Sequence, residues 1–163
     1  MDPQNPFIHL QGRLEACSTL DELQAEACRL ARELLDAAGT TLVLADGDES
    51  HHVAEDSQFP LWLGSRFPVT KCLSGWAIVH ATTAVSSDVH KDQRTCREEE
   101  LPVPVHSMIM SPIGVDAPFG AIGALWTRAG VPNAQLVATL EKVATLIAVA
   151  LRRFGVPKSA GSV

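Results

Sequence analysis

The alternation of apolar and polar positions divides the chain into helical stretches at its two ends and strand-like stretches between them. Phe7, Leu10, Leu14 and Cys17 recur at three- and four-residue intervals behind Asn5-Pro6, a cap residue followed by the proline that suits a first helical position, so a short amphipathic helix is predicted there. Leu20, Leu23, Ala27, Leu30 and Leu34 continue the pattern in a second helix, with Glu26, Arg29 and Glu33 on its other faces. Thr19 and Glu22 have the spacing of a capping box, in which hydroxyl and carboxylate each satisfy a backbone N–H that a helix start leaves open. Gly39 is the expected left-handed stop.

The period then shortens. Thr40 to Ala45 is apolar and β-branched, Asp46-Gly47 signals a hairpin turn, and Ser50 to Ala54 makes the second strand. The aromatic run QFPLWLGSRFP at 58–68 is broken by prolines and a glycine, which predicts a loop and a short strand lying over a core. From Pro68 a loop enters a Ser74-Gly75-Trp76 turn, a short apolar helix follows, then a β-type run at Ala84-Val85 and a loop carrying Asp88, Asp92 and Arg94. Glu98-Glu99-Glu100 reads as a solvated turn, and Pro102 and Pro104 exclude a regular helix there.

Val105 to Ile113 alternates, with His106, Met108 and Met110 on one face and Ser107, Ile109 and Ser111 on the other. Phe119 to Trp126 is a further strand, in which Gly120, Ala121, Gly123 and Ala124 permit close approach of a helix or a ligand. Pro132-Asn133 opens a last helix, where Leu136, Leu140, Val143, Ile147, Ala150 and Phe154 hold a 4-3-4-3-4 spacing before Gly155 and Pro157. Its apolar residues spread beyond that stripe to Val137, Leu146 and Val149, so one sheet cannot cover them all and a homodimer through the terminal helices is expected.

Strands joined by hairpins between terminal helices imply an α/β (α+β) fold: an antiparallel β-sheet with the N- and C-terminal helices on one face, and loops plus a short helix roofing a pocket on the other. At 163 residues the chain is the size of one domain. An N-terminal helix is assigned to 1–18, the main domain to 19–155 and a disordered tail to 156–163.

Composition narrows the function. A net charge of −6, with scattered Lys and Arg, excludes a nucleic-acid partner, whose phosphates need clustered cations. No apolar run reaches about 18 residues and the start is not that of a signal peptide, so no membrane is expected and a cytoplasmic location is. Cys17, Cys28, Cys72 and Cys96 form no C-x-x-C pair, which argues for free thiols rather than a zinc ribbon or redox dithiol. His51-His52, with Glu55 and Asp56 nearby, reads as a solvated strand end rather than a metal site. His80, His90 and His106 are candidate haem ligands, more simply read as hydrogen-bonded or surface side chains, and the residues specify no cofactor.

Trp62, Phe67 and Trp76 are candidates to line a pocket for a flat ligand, with Asp88 and Arg94 as its polar contacts and Cys72, His106 and Met108 completing the wall. The competing reading has the aromatics capping a small core and the charges pairing on a surface loop. The order of elements, with LWLGSRFP, KCLSGWAIV, the D-x-x-x-D-x-R of Asp88, Asp92 and Arg94, SMIMSPIG and GAIGALW, resembles a GAF domain of the kind found in bacterial sensor histidine kinases and related signalling proteins. The resemblance runs from about Leu20 to Phe154. It implies a non-enzymatic sensory or regulatory domain that binds an unidentified small molecule, dimerises through its terminal helices and acts on a separate output protein, for which this chain has no room.

Two alternatives stand beside it. One GAF branch reduces free methionine sulfoxide, and Asp88-Val89-His90 resembles a segment of that branch, with Cys72 and Cys96 as candidate thiols. The chain departs from it in having Ser74 where a cysteine precedes the glycine, no cysteine near Trp62, and Cys96 about two residues early. Covalent bilin attachment is disfavoured because Arg97, not a histidine, follows Cys96. The second alternative is a ligand-free GAF module that only mediates association.

Overall fold

The computed structural model describes residues 5–95, 101–102 and 104–157. Helix α1 (Pro6–Glu15) starts as its sequence directs, the Asn5 side chain accepting the Phe7 N–H. Helix α2 (Leu20–Leu35) starts with Thr19 Oγ1 accepting the Glu22 N–H at 3.1 Å, while the Glu22 carboxylate reaches back to the Ser18 N–H at 2.9 Å, one residue earlier than in the usual box. The helix stops at Asp36, which takes the left-handed conformation at φ +49° as the Ala37 N–H closes onto the Arg32 carbonyl. Gly39 is therefore not the stop. It opens strand β1, where a Cβ would lie 2.6 Å from Ser57 Oγ.

Among the described residues six antiparallel strands follow: β1 (Gly39–Asp46), β2 (Glu49–Ser57), β3 (Arg66–Pro68), β4 (Ala84–Ser86), β5 (Ser107–Ile113) and β6 (Gly120–Trp126), in the order β3-β2-β1-β6-β5-β4. Helix α3 (Leu73–His80) lies between β3 and β4, and helix α4 (Ala134–Arg153) closes the fold with Asn133 as its cap. The Ser74-Gly75-Trp76 segment is not a turn ahead of α3 but its first turn, capped by Cys72. Gly75 is required there: a Cβ would stand 2.0 Å from the Val69 carbonyl oxygen, so α3 seats directly on the short 3-10 turn Val69–Lys71.

The sheet separates two cores. Helices α1, α2 and α4 cover one face, where Leu42, Ile109, Ile113 and Ile122 pack against Leu23, Leu30, Leu140, Ile147 and Leu151. On the other face Met108, Met110, Ala121 and Leu125 pack under Trp62, Leu73, Ala77, Val89 and Leu101. The alternation along β5 thus sends its methionines to the roof and its isoleucines to the helices. The small residues of β6 do not admit a helix or ligand at Gly123; a Cβ there would sit 2.7 Å from Met110 Cε and 3.1 Å from Thr41 Cγ2, so the space belongs to neighbouring strands.

Arg153 ties the two ends together by donating to the carbonyls of Leu14, Glu15 and Cys17 at the C-terminal end of α1. By length and composition α4 would suit a membrane crossing, and packing against β5, β6 and α2 buries Leu140, Val143, Ala144, Ile147 and Leu151 of it. Its Val149 remains 62% exposed. The Glu98-Glu99-Glu100 turn, Cys96 and the tail from residue 158 lie outside the described residues.

Candidate functional site

The site is built by an irregularity in β2. Leu42 pairs with Ala54 but the next residue, Val43, pairs with His52, so Val53 is an extra residue without a partner, a β-bulge. In an unbroken strand residues 52 and 55 face opposite sides; the bulge reverses the parity between them. Ala54 stays on the helix side, while His52 and Glu55 both face the roof.

His52 is 3% exposed, with Nδ1 2.8 Å from Thr41 Oγ1 on the adjacent strand. Its ring lies 5.3 Å from Trp62 in a tilted contact and 5.6 Å from Phe67 edge-on. Burial pushes its pKa down to about 4, helped by the neighbouring His51, so the imidazole is neutral at physiological pH. The expectation of a solvated strand end therefore fails for His52. His51 is half-buried.

Glu55 organises the roof above it. Its carboxylate accepts the N–H groups of Leu61 (3.1 Å), Trp62 (3.0 Å) and Leu63 (2.9 Å), a pre-arranged cradle that folds residues 59–64 back over the sheet. Trp62 is thereby held over His52. Among the described residues, His52, Trp62, Phe67, Cys72, Leu73, Ser74, Thr95, Leu101, Met108 and Met110 line a partly open cavity of about 20 Å3. That is room for about one water molecule.

Of the residues expected to form a site, Trp62, Phe67, Cys72 and Met108 line this cavity. Trp76, Asp88, Arg94 and His106 are placed away from its lining. Trp76 stacks on His80 at 4.5 Å, and the Arg94 guanidinium lies 4.6 Å from the Trp76 ring centre. Arg94 grips Asp92 through Nε (3.0 Å) and Nη2 (2.7 Å) and donates to the Val85 carbonyl at 2.9 Å, and this hydrogen bonding holds the Asp92 carboxyl below its ordinary range. Asp88 accepts the His90 N–H, and His90 contacts the Val105 carbonyl at 3.0 Å and the His106 ring at 5.0 Å. Thr95 Oγ1 lies within hydrogen-bond range of the Val89 and Asp92 carbonyls, which brings this loop to the cavity edge.

The three described thiols lie apart from one another. Cys72 Sγ accepts the Gly75 N–H at 3.4 Å and lies 3.4 Å from Ser74 Oγ and 3.6 Å from Ser50 Oγ. Cys28 is on α2, across the sheet, where burial pushes its thiol pKa up; Cys17 is also raised, chiefly by burial. Among the described residues no cluster of three or more His, Cys, Asp or Glu side chains is arranged to hold a metal. His52, Leu73, Ser74, Thr95, Leu101 and Met110 are lining residues that the sequence pattern did not offer as site residues. For His52 the signal was present but hidden, because Ser50-His-His-Val-Ala54 reads as plain alternation unless the extra residue is known.

Residues 17–152 match the GAF domain family. No curated protein matches the chain. Among solved structures, the free methionine-R-sulfoxide reductase from Neisseria meningitidis in complex with its substrate is similar at TM-score 0.79 and 17% identity, over 92% of this chain and 89% of that one. The GAF domain from an Acinetobacter phosphoenolpyruvate-protein phosphotransferase has TM-score 0.78 and 9% identity, over 91% of each chain. The nlh2 GAF domain of A. aeolicus in an inactive state has TM-score 0.74 and 14% identity, over 92% and 95%. At these identities the likeness is one of fold.

Proposed function

The chain belongs to the GAF domain family, and from that premise we propose that it is a cytoplasmic sensory or regulatory domain that takes a small molecule in the roof cavity and signals through its terminal helices to a separate output protein. The observation that carries this reading is the position of the cavity on a single shared sheet. Strand β5 presents Met108 and Met110 to the cavity and Ile109 and Ile113 to the helix side. A ligand that displaces the methionines pushes on the strand that α4 rests upon, so binding and helix packing are linked as two outcomes of one equilibrium. The cavity is small as folded, so entry requires the roof segments around Trp62 and Leu73 to move outward. Exposed Val149 on α4 and Ile8 on α1 supply apolar surface for a second copy.

A thermal-shift series with cyclic nucleotides, purines, haem and amino acids tests the reading, since a ligand bound only by the folded state raises the melting temperature. Sedimentation with and without the stabilising compound reports the helix coupling. A monomer at high concentration in both conditions overturns the coupling. No shift with any compound favours the association-only module.

The reductase remains the second reading because Cys72 lines the cavity and reductases are among the structures of similar fold. A thiolate attacking the sulfoxide needs a second thiol to resolve it. Among the described residues Cys72 is the only cysteine lining the cavity. An NADPH-coupled assay with free methionine sulfoxide decides: turnover abolished by Cys96→Ser establishes the reductase, and no turnover removes it.

A further inference from the structure

Among its described residues the cavity wall holds one buried imidazole, whose tautomer is fixed by its neighbour. Thr41 is fully buried in β1, and among the described residues its hydroxyl has one partner, His52 Nδ1 at 2.8 Å. A buried hydroxyl has one proton to donate, and leaving it unpaired costs the desolvation of that group. If Nδ1 carried the imidazole proton it would donate to the Thr41 oxygen, and the Thr41 proton would be left without an acceptor. The hydroxyl therefore donates to Nδ1, and the imidazole proton sits on Nε2. Among the described residues Nε2 has no hydrogen-bond partner, and the ring lines the cavity, so Nε2–H is the group of this imidazole left to meet a bound molecule.

The remaining wall restricts what that N–H can meet. Phe67, Leu73, Leu101, Met108, Met110 and the rings of Trp62 are apolar surface, Ser74 Oγ and Cys72 Sγ lie within hydrogen-bond range of each other, and the described lining includes no Asp, Glu, Lys or Arg. The nearby charges are already committed: Glu55 to three backbone N–H groups and Arg94 to Asp92 and the Val85 carbonyl. The Thr95 hydroxyl donates within its own loop. A free amino acid brings an ammonium and a carboxylate that would enter this wall without partners, at a large desolvation cost. A neutral, mainly apolar molecule with one hydrogen-bond acceptor matches it.

We propose that His52, as the Nε2–H tautomer held by Thr41, is the hydrogen-bond donor of the cavity, and that the domain selects a neutral, mainly apolar ligand presenting a carbonyl oxygen or ring nitrogen to it. This rests on the reading of the cavity as a ligand site. It gives that reading a chemical class, and makes His52 rather than Asp88 or Arg94 the residue that recognises the ligand's polar atom.

Acetophenone and α-methylstyrene test it. They have nearly the same shape and differ in a carbonyl against a methylene, so the cost of opening the roof is common to both and cancels in the ratio of their dissociation constants. With isotope-labelled full-length protein, titrations followed at the Trp62 indole and the His52 ring should show acetophenone binding about tenfold more tightly, the value of one matched buried donor. His52→Phe keeps an aromatic ring and removes the donor, so it should bring the two constants within about twofold of each other. Independently of any probe or variant, long-range proton–nitrogen spectra of the wild-type protein should show a pyrrole-type Nε2 and a pyridine-type Nδ1 at His52. The reverse tautomer overturns the proposal, as does equal binding of the two probes, and in both cases the cavity reading stands. Preferential binding of benzoate, benzylammonium or methionine sulfoxide also overturns it. If no probe of any charge perturbs Trp62 or His52, the cavity reading itself fails.

Discussion

Lowering the pH should destabilise this protein through His52 in a window of its own. The imidazole is held near pKa 4 in the folded state, chiefly by burial, against an ordinary value of 6.5. Between those values the unfolded chain binds a proton that the folded chain refuses, so stability falls as pH falls from about 6.5 to about 4 and levels off below. At about 1.36 kcal/mol per pH unit the loss amounts to about 3 kcal/mol. Against a total of about 5–15 kcal/mol for a domain, that is readily measured. Asp92 does not confuse the window: Arg94 holds its carboxyl below the ordinary 3.8, so its contribution is lost only at more acid pH. The assay is urea unfolding at steps from pH 7 to pH 4 for the wild-type protein and His52→Asn, whose amide oxygen can accept the Thr41 hydroxyl without titrating. The two stability curves should converge as pH falls, the wild type losing about 3 kcal/mol more than the variant. Parallel curves across that window would refute the assignment of His52 as a neutral buried group.

The other predictions concern the roof and its seat. Glu55→Ala leaves the N–H groups of Leu61, Trp62 and Leu63 without their acceptor. It should cost about 1–3 kcal/mol in urea unfolding and broaden or shift the Trp62 indole resonance, while α4 resonances hold their positions. Two Gly→Ala changes on helices should have opposite signs. Gly75→Ala drives a methyl into the Val69 carbonyl and should destabilise by about 3 kcal/mol or more, whereas Gly12→Ala on α1 meets nothing within 4 Å and should stabilise by about 0.5–1 kcal/mol. Arg94→Lys keeps the charge but not the fork that holds Asp92 and Val85; it should lower stability by about 1 kcal/mol and raise the Asp92 carboxyl titration toward its ordinary value, read by carboxyl carbon NMR.

Periodicity makes the scaffold legible because its helices bury a regular face and its central strands alternate between two cores. The caps at Asn5, Thr19 and Asn133, the hairpin at Asp46-Gly47 and the two-sided alternation of Met108, Ile109 and Met110 follow from spacing alone. The site resists the same reading for two physical reasons. The Val53 bulge changes strand parity without any Gly or Pro to mark it, so His52 and Glu55 look like members of opposite faces. The roof, moreover, is held by side chain to backbone bonds such as Glu55 to Leu61–Leu63 and Arg94 to Val85, and such bonds have no period. The aromatic content of residues 58–68 did point to Trp62 and Phe67, because large apolar rings in a Pro- and Gly-broken segment must be buried against something. Charge in the 88–94 loop points less reliably, since Asp92 and Arg94 satisfy each other locally before any ligand arrives.

The contrast between the two faces of the sheet also says which one can yield to a ligand. Regular helices, each held by its own backbone hydrogen bonds, cover the helix side, and Arg153 locks the ends of α1 and α4 together. The roof depends on a carboxylate, a guanidinium and a threonine hydroxyl holding irregular backbone, and segments secured in that way open locally at lower free energy than packed helices. A molecule larger than one water must capture that opened form, and if the form is populated at about 1%, the apparent affinity is weaker than the intrinsic one by about a hundredfold. Variants that loosen the roof without touching the cavity wall, Glu55→Ala foremost, should therefore tighten the binding of acetophenone while lowering overall stability. That inverse relation is what a capture mechanism requires, and a rigid preformed pocket would not show it.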